Sequence, residues 1–259
     1  MIKQQKLKSY TATLILGLSL FTFNSIFIGC SDDDSALIDE ETIEEENEIA
    51  TKTLSVADFT GINLAIAADI TIKQGTVQEV KAIGDDEVID NLKTSIVDDE
   101  WKIDFINDYN KNYELSIEIT VPNISNLTLS SSGTIKVNDF SDQSNLILAI
   151  SGSGNMEINK FEGITNLGIT LSGSGNLTAQ KDIKSLNDID LKITGSGSYY
   201  GYELSCKHAI VKSTGSGNTE LLVVETLNAK ISGAGSISYK GTPSISSNIT
   251  GTGDLFNAN

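Results

Sequence analysis

Asp188 and Asp190 stand two residues apart, and on an extended strand both would project from one face. Paired carboxylates are what a polysaccharide-cleaving enzyme needs, one as acid and one as base or nucleophile. The chain carries 35 acids, however, and in so acidic a protein scattered carboxylates mostly solvate the surface. Nucleophilic chemistry finds no set of groups: His208 is the single histidine, with no serine or cysteine arrangement around it. A metal site lacks its His and Cys ligands, which leaves weak calcium binding by acids such as Asp98 and Asp99 as the remaining ionic chemistry. From these residues we expect no catalytic group, no metal and no cofactor.

Glycine carries the strongest pattern. A Gly-x-Gly phrase recurs at Gly152 and Gly154, Gly173 and Gly175, Gly195 and Gly197, Gly215 and Gly217, Gly233 and Gly235, and Gly251 and Gly253, in steps of 21, 22, 20, 18 and 18 residues. Ser130-Ser131-Ser132-Gly133 is a degenerate seventh copy, 21 residues earlier. Phosphate cradling would need a third glycine and a following helix. None of the six supplies Gly-x-Gly-x-x-Gly, and strands follow. The calcium-binding nonapeptide repeat has a shorter period and an aspartate in each turn, where only Asp254 is acidic here.

The elements around the glycines explain them better. Leu146, Leu148 and Ile150 alternate with polar residues before the first phrase, as do Leu167, Ile169 and Leu171 before the second and Ile189, Leu191 and Ile193 before the third. That period of two is a strand with one face inward. A second short apolar stretch follows each phrase, and segments such as Phe161 to Ile164 or Leu204 to Cys206 supply a third side. A period near 20 predicts an all-β fold: a parallel β-solenoid of about seven coils, on the order of 30 Å long, over residues 124–259. The glycines would mark equivalent corners, where positive φ is easily reached, and Asn155, Asn176 and Asn218 would line up as a ladder.

Residues 53–123 read as an N-terminal β-rich region that caps the stack. Ile62 to Ile72 alternates over eleven residues like one long strand. Asp85 to Leu92 suits a helical turn or two, Ile96 to Phe105 a hairpin turning at Asp98-Asp99-Glu100, residues 107–113 a polar loop, and Leu115 to Val121 a strand ended by Pro122. The last coil has no separate cap before Asn259, so either an oligomer formed through that end or a turn folded back over it is expected.

The first 52 residues give an address. Lys3, Lys6 and Lys8 precede an apolar run that ends at Gly29, which is a signal peptide over residues 1–29. Cys30 follows at once, as the lipid-bearing residue of a bacterial lipoprotein would. Ser31, Asp32, Asp33 and Asp34 resemble the acidic signal that exports Bacteroidetes lipoproteins to the outer face of the outer membrane. Residues 31–50 hold ten acids and no lysine, so residues 30–52 are expected to be a disordered acidic tether. All 18 basic residues are lysine. Removing the signal takes three of them and no acid, so the net charge moves from −17 to −20, which repels nucleic acid. Cys206 would then be the one unlipidated thiol and a small core residue.

Phe59-Thr60-Gly61-Ile62, the alternation to Ile72, the Asp98 to Ile103 hairpin and the Ser-Gly-Ser-Gly-Asn coils together resemble the head GIN domain family (DUF2807), over about residues 55–256. The resemblance implies an all-β fold with a solenoid portion, secreted or lipid-anchored, with no established catalytic residues and an adhesin label. The expected function is a non-catalytic, lipid-anchored surface module that offers a rigid face to a protein or glycan. Tyr199, Tyr200 and Tyr202 are the expected contact residues. A polysaccharide-active enzyme using Asp188 and Asp190, or an envelope structural protein with no soluble ligand, are the alternatives.

Overall fold

The computed structural model describes residues 49–180 and 183–259. The expected signal peptide, Cys30, the Ser31 to Asp34 export signal and most of the tether lie outside the described residues. Strands β1 (Ile49–Thr53), β2 (Gly61–Leu64), β3 (Asp69–Gln74) and β4 (Glu79–Asp85) precede helix α1 (Asp86–Asp90). Next come β5 (Ile96–Val97), β6 (Glu100–Ile103), β7 (Leu115–Val121), β8 (Asn126–Leu129), β9 (Thr134–Val137), β10 (Asn145–Ile150) and β11 (Asn155–Ile158). The remainder are β12 (Asn166–Leu171), β13 (Leu177–Ala179), β14 (Ile183–Ile193), β15 (Tyr199–Ser213), β16 (Thr219–Ile231), β17 (Ile237–Lys240), β18 (Ser244–Ile249) and β19 (Leu255–Asn257).

The glycine phrases are equivalent corners of a parallel β-solenoid. Leu146, Leu148 and Ile150 of β10 pair in register with Leu167, Ile169 and Leu171 of β12, which pair with Ile189, Leu191 and Ile193 of β14. Each column is buried, and a fully buried aliphatic side chain contributes about 1.5–3 kcal/mol. The seven corners from Gly133 to Gly251 bound six full turns. The third side is narrow at first, where Phe140 bridges Phe161 with stacked rings 5.4 Å apart. It widens where β14 and β15 run through it, pairing Ile183 with Leu204 and Leu186 with Cys206.

The corners need glycine for a different reason from the one expected. None of the paired corner glycines has positive φ; among the described glycines that conformation belongs to Gly163 (φ +87°) and Gly241 (φ +96°), elsewhere in the coil. Close approach is the cause. A Cβ on Gly154 would lie 2.0 Å from the carbonyl oxygen of Gly133, and one on Gly175 would lie 1.7 Å from that of Gly154. The approach serves a ladder: the N–H groups of Ser174 and Gly175 both donate to the oxygen of Gly152, and those of Ser196 and Gly197 to that of Gly173. Beside it, Asn176 N donates to Asn155 Oδ1, Ser198 N to Asn176 Oδ1, Asn218 N to Ser198 Oγ and Ser236 N to Asn218 Oδ1, at 2.9–3.1 Å. The asparagine ladder therefore binds backbone as well as side chain, and serine substitutes for asparagine within it.

The N-terminal region holds coils of its own. Ile62 to Ile72 is two strands folded at a corner, not one. β2 pairs with β8 and β3 with β9, both parallel, so Ala65 to Ala68 is the next corner of the stack. Its alternation survives the bend because Leu64, Ala68 and Ile70 keep the same parity. Beyond it, β6 and β7 pair in parallel with β2 and β3 as one more coil. The end is closed by antiparallel strands, β4 on β7, β1 on β4 and β5 on β6, with α1 beside β4 and β1. The turn Asp98-Asp99 has φ of +51° and +59°, the two-residue geometry that suits a hairpin. β1 overlaps the last residues of the expected tether: Ala50 to Thr53 pair with Gly84 to Lys81, and Lys52 bonds Asp90 and Asp86.

Candidate functional site

The three expected tyrosines do not share a surface, because strand alternation separates them. Tyr199 is 0% exposed and faces the core; burial raises its hydroxyl pKa, and the oxygen has no hydrogen-bond partner. Gly201 makes room for its ring, since a Cβ there would lie 2.3 Å from Tyr199 Cζ. Tyr199 is thus a core residue and no contact residue. Tyr200 faces out at 41% exposure, between Thr178 and Glu220 in register. Tyr202 is half-buried, its hydroxyl bonded to Ser238 Oγ and Lys240 Nζ lying 4.4 Å above its ring. Asp188 and Asp190 project to solvent from β14, as the period of two predicts. His208 Nδ1 lies 2.8 Å from Thr226 Oγ1. Cys206 is buried and its thiol pKa is pushed up to about 12 by that burial, with Asp188 adding to the effect.

The main cleft lies at the other end of the stack. Every coil from β2–β3 onward turns a tight corner, but β6 and β7 are joined by residues 104–114. Where that loop swings out, no corner lies beneath Ala65 to Ala68, which is why Ala68 can carry a Cβ where later coils need glycine. The space left is a cleft of about 820 Å³ lined by Ile49, Ala67, Asp85, Lys111, Tyr113 and Ser116 among others. A smaller hollow of about 410 Å³ adjoins it and shares Ala67, Tyr113, Glu114 and Ser116. Such volumes suit a small ligand or a short stretch of polymer.

The loop itself is held by aromatic rings. Phe105 packs on Tyr109 at 5.5 Å and on Tyr113 at 5.3 Å, and the two tyrosines meet edge to face at 5.6 Å. All three are half-buried. Tyr113 therefore presents a braced ring to the cleft rather than a mobile one. Its hydroxyl pKa is raised by burial, with the Ala67 backbone amide acting the other way. Lys111 lies 5.8 Å from the Tyr109 ring and 2.8 Å from Glu87. A ring with ammonium, carboxylate, amide and hydroxyl groups around it can stack on an apolar sugar face and hydrogen-bond its rim. In sequence the cluster lies in and beside the expected polar loop, and its mark there is the spacing of Phe105, Tyr109 and Tyr113 in steps of four. Among the described residues no group of three or more His, Cys, Asp or Glu is placed to hold a metal ion.

Comparison with known proteins agrees with this architecture. No curated protein matches the chain. A crystal structure of a "putative adhesin" from Bacteroides fragilis superposes with a TM-score of 0.73 at 23% identity, covering 81% of this chain and 97% of that one. A "putative lipid binding protein" from Parabacteroides distasonis gives 0.66 at 21% identity, covering 83% and 98%. A "putative adhesin" from Parabacteroides merdae gives 0.66 at 19%, with the same coverage. At these identities the likeness shows a shared fold. The family model described as "Putative auto-transporter adhesin, head GIN domain" matches residues 58–243, from the strand before the aromatic cleft almost to the last coil, and the chain belongs to that family, DUF2807.

Proposed function

We propose that this protein is a non-catalytic, adhesin-like surface module that binds glycan in the cleft beside Tyr113. The observation that carries the reading is the missing corner between β6 and β7, which opens a cleft with the Tyr113 ring on its wall in an otherwise continuous stack. The family's adhesin description supports it. One structural relative is named a putative lipid binding protein; Ile49, Ala67 and Ile83 give this cleft an apolar wall, and Asp85, Lys111 and Glu114 beside it add the polar groups that the hydroxyl rim of a sugar needs and an acyl chain does not. An enzyme has less behind it: Asp188 and Asp190 face open solvent, where nothing excludes the water that weakens acid–base catalysis by carboxylates.

The test is a glycan array probed with the full chain carrying Cys30→Ala, followed by titration of the best ligand. Tyr113→Ala is expected to weaken binding by about thirtyfold, the effect of removing a central aromatic contact. Tyr200→Ala, on β15 and five strands along the stack from β7, is expected to leave it unchanged. Loss on Tyr200→Ala with Tyr113→Ala silent would move the site to the outward face of β15, and no binding by wild type would remove the glycan reading.

The same proposal puts the module on the outer surface of the outer membrane, anchored by lipid on Cys30 and exported under Ser31, Asp32, Asp33 and Asp34. Cells fed labelled palmitate are expected to label the wild-type chain and not Cys30→Ala. Label persisting in that variant would overturn the anchor.

A further inference from the structure

The last coil of the described stack leaves both its strand edges open. β18 pairs on one side with β16, and β19 with β17; the other side of each carries no strand. Thr250 N donates inward to Ile231 O. By alternation along a parallel strand, the N–H groups of Ile245, Ser247 and Ile249 then point to the open side. Their side chains continue the buried columns of Leu227, Ala229 and Ile231, yet Ile245 is 42% and Ile249 43% exposed, with Phe256 at 50% on the adjoining strand. Natural sheets guard such an edge with lysine, proline, a bulge or a covering element. None of these stands in β18 or β19.

Charge and shape select the occupant. The molecule is strongly acidic, but from Gly241 to Asn259 the only charged side chain is Asp254. Two copies would repel over most of their surfaces and least at this end. The opposite end offers no matching partner: its edges are the two-residue β5 and β1, whose Lys52 is held by Asp86 and Asp90 beside α1. Head-to-tail stacking into a fibre is therefore mismatched. Among the described residues, the one six-residue, uncharged, unguarded edge available to β18 is β18 of a second copy.

We propose that the β18–β19 end is a homotypic interface, in which two copies meet tail to tail through a two-fold axis with β18 antiparallel to β18 of the partner. Such an isologous contact closes at two and buries Ile245 and Ile249 against their counterparts. It stands independently of the glycan cleft, which lies at the far end.

The experiment is sedimentation equilibrium of the full chain carrying Cys30→Ala. Twice the monomer mass is expected, with no larger species. Ser247→Pro removes an outward N–H without touching the inward ladder, and Ile245→Lys places like charges across the axis. Each is expected to return the monomer mass with an unchanged circular dichroism spectrum, and Ile245→Lys stands as the test should the proline variant misfold. A wild-type monomer at all concentrations, a dimer indifferent to both substitutions, or an open-ended series of higher masses would each overturn the proposal.

Discussion

Gly195→Ala is expected to destabilise the fold by about 3 kcal/mol or more, lowering the melting temperature by roughly 10 °C. The backbone at Gly195 is not in the left-handed region, so alanine meets no local torsional penalty. The cost comes from the neighbouring coil. A Cβ would lie 2.0 Å from Gly173 O, 2.5 Å from Ser172 O and 2.7 Å from Ser172 C. All three are backbone atoms, which cannot swing aside as a side chain would. Relief requires the two coils to part at that corner, and parting them breaks the bonds from Ser196 N and Gly197 N to Gly173 O. Gly168→Ala is the matched control. Gly168 lies in β12, its nearest neighbour to a new Cβ is Ile147 Cγ1 at 3.8 Å, and its replacement is expected to be neutral or to stabilise by about 0.5 kcal/mol through the unfolded state. Guanidinium unfolding of both variants checks the contrast. Equal effects would mean that conformational freedom, not coil-to-coil approach, accounts for the glycines.

That contrast also explains which parts of the fold could be read from sequence. A tight corner demands glycine at a fixed place, and a stack repeats the demand, so the solenoid announces itself from Gly133 onward. The corner at Ala65 to Ala68 is free of that demand, because no corner lies beneath it. It therefore has no glycine, and apolar alternation runs through it unbroken. Periodicity of two reports which face is buried but not whether the strand bends between two buried positions. The coil of β2 and β3 was hidden for that reason. So was the crossing by which β6 and β7 lie on one side of it and β8 and β9 on the other, an order no local pattern encodes.

The site was less legible than the fold. Tyr199, Tyr200 and Tyr202 attract notice by adjacency, yet adjacent residues on a strand point to opposite faces, and Tyr199 is spent on the core. The cleft depends on an absence, the corner that residues 104–114 fail to make. Phe105, Tyr109 and Tyr113 come from a stretch whose other residues are mostly polar, and only the ring contacts reveal that the loop is braced.

The column that runs through the stack predicts the second large effect. Trp101 of β6 pairs with Ile62, which pairs with Leu127, and the line continues through Leu148, Ile169, Leu191, Val211 and Ala229 to Ser247. It tapers from the bulkiest side chain at the closed end to a serine at the open one. Trp101 is 0% exposed, its ring centroid lies 5.6 Å from that of Phe59, and its Nε1–H donates to Lys93 O at 2.8 Å. Trp101→Ala is expected to cost about 4 kcal/mol, from the lost transfer energy, the cavity and the orphaned carbonyl. In a stack where each coil touches only its neighbours, stability should follow position. Amide exchange in the monomeric Ile245→Lys variant is expected to be slowest in the inner coils and fastest in β18 and β19. Trp101→Ala should speed exchange in β2, β6 and β7 far more than in β14 to β16, because the loss enters from the closed end and fades with each coil. A uniform acceleration across all coils would show that the stack unfolds as one unit and that the taper does not set where it opens.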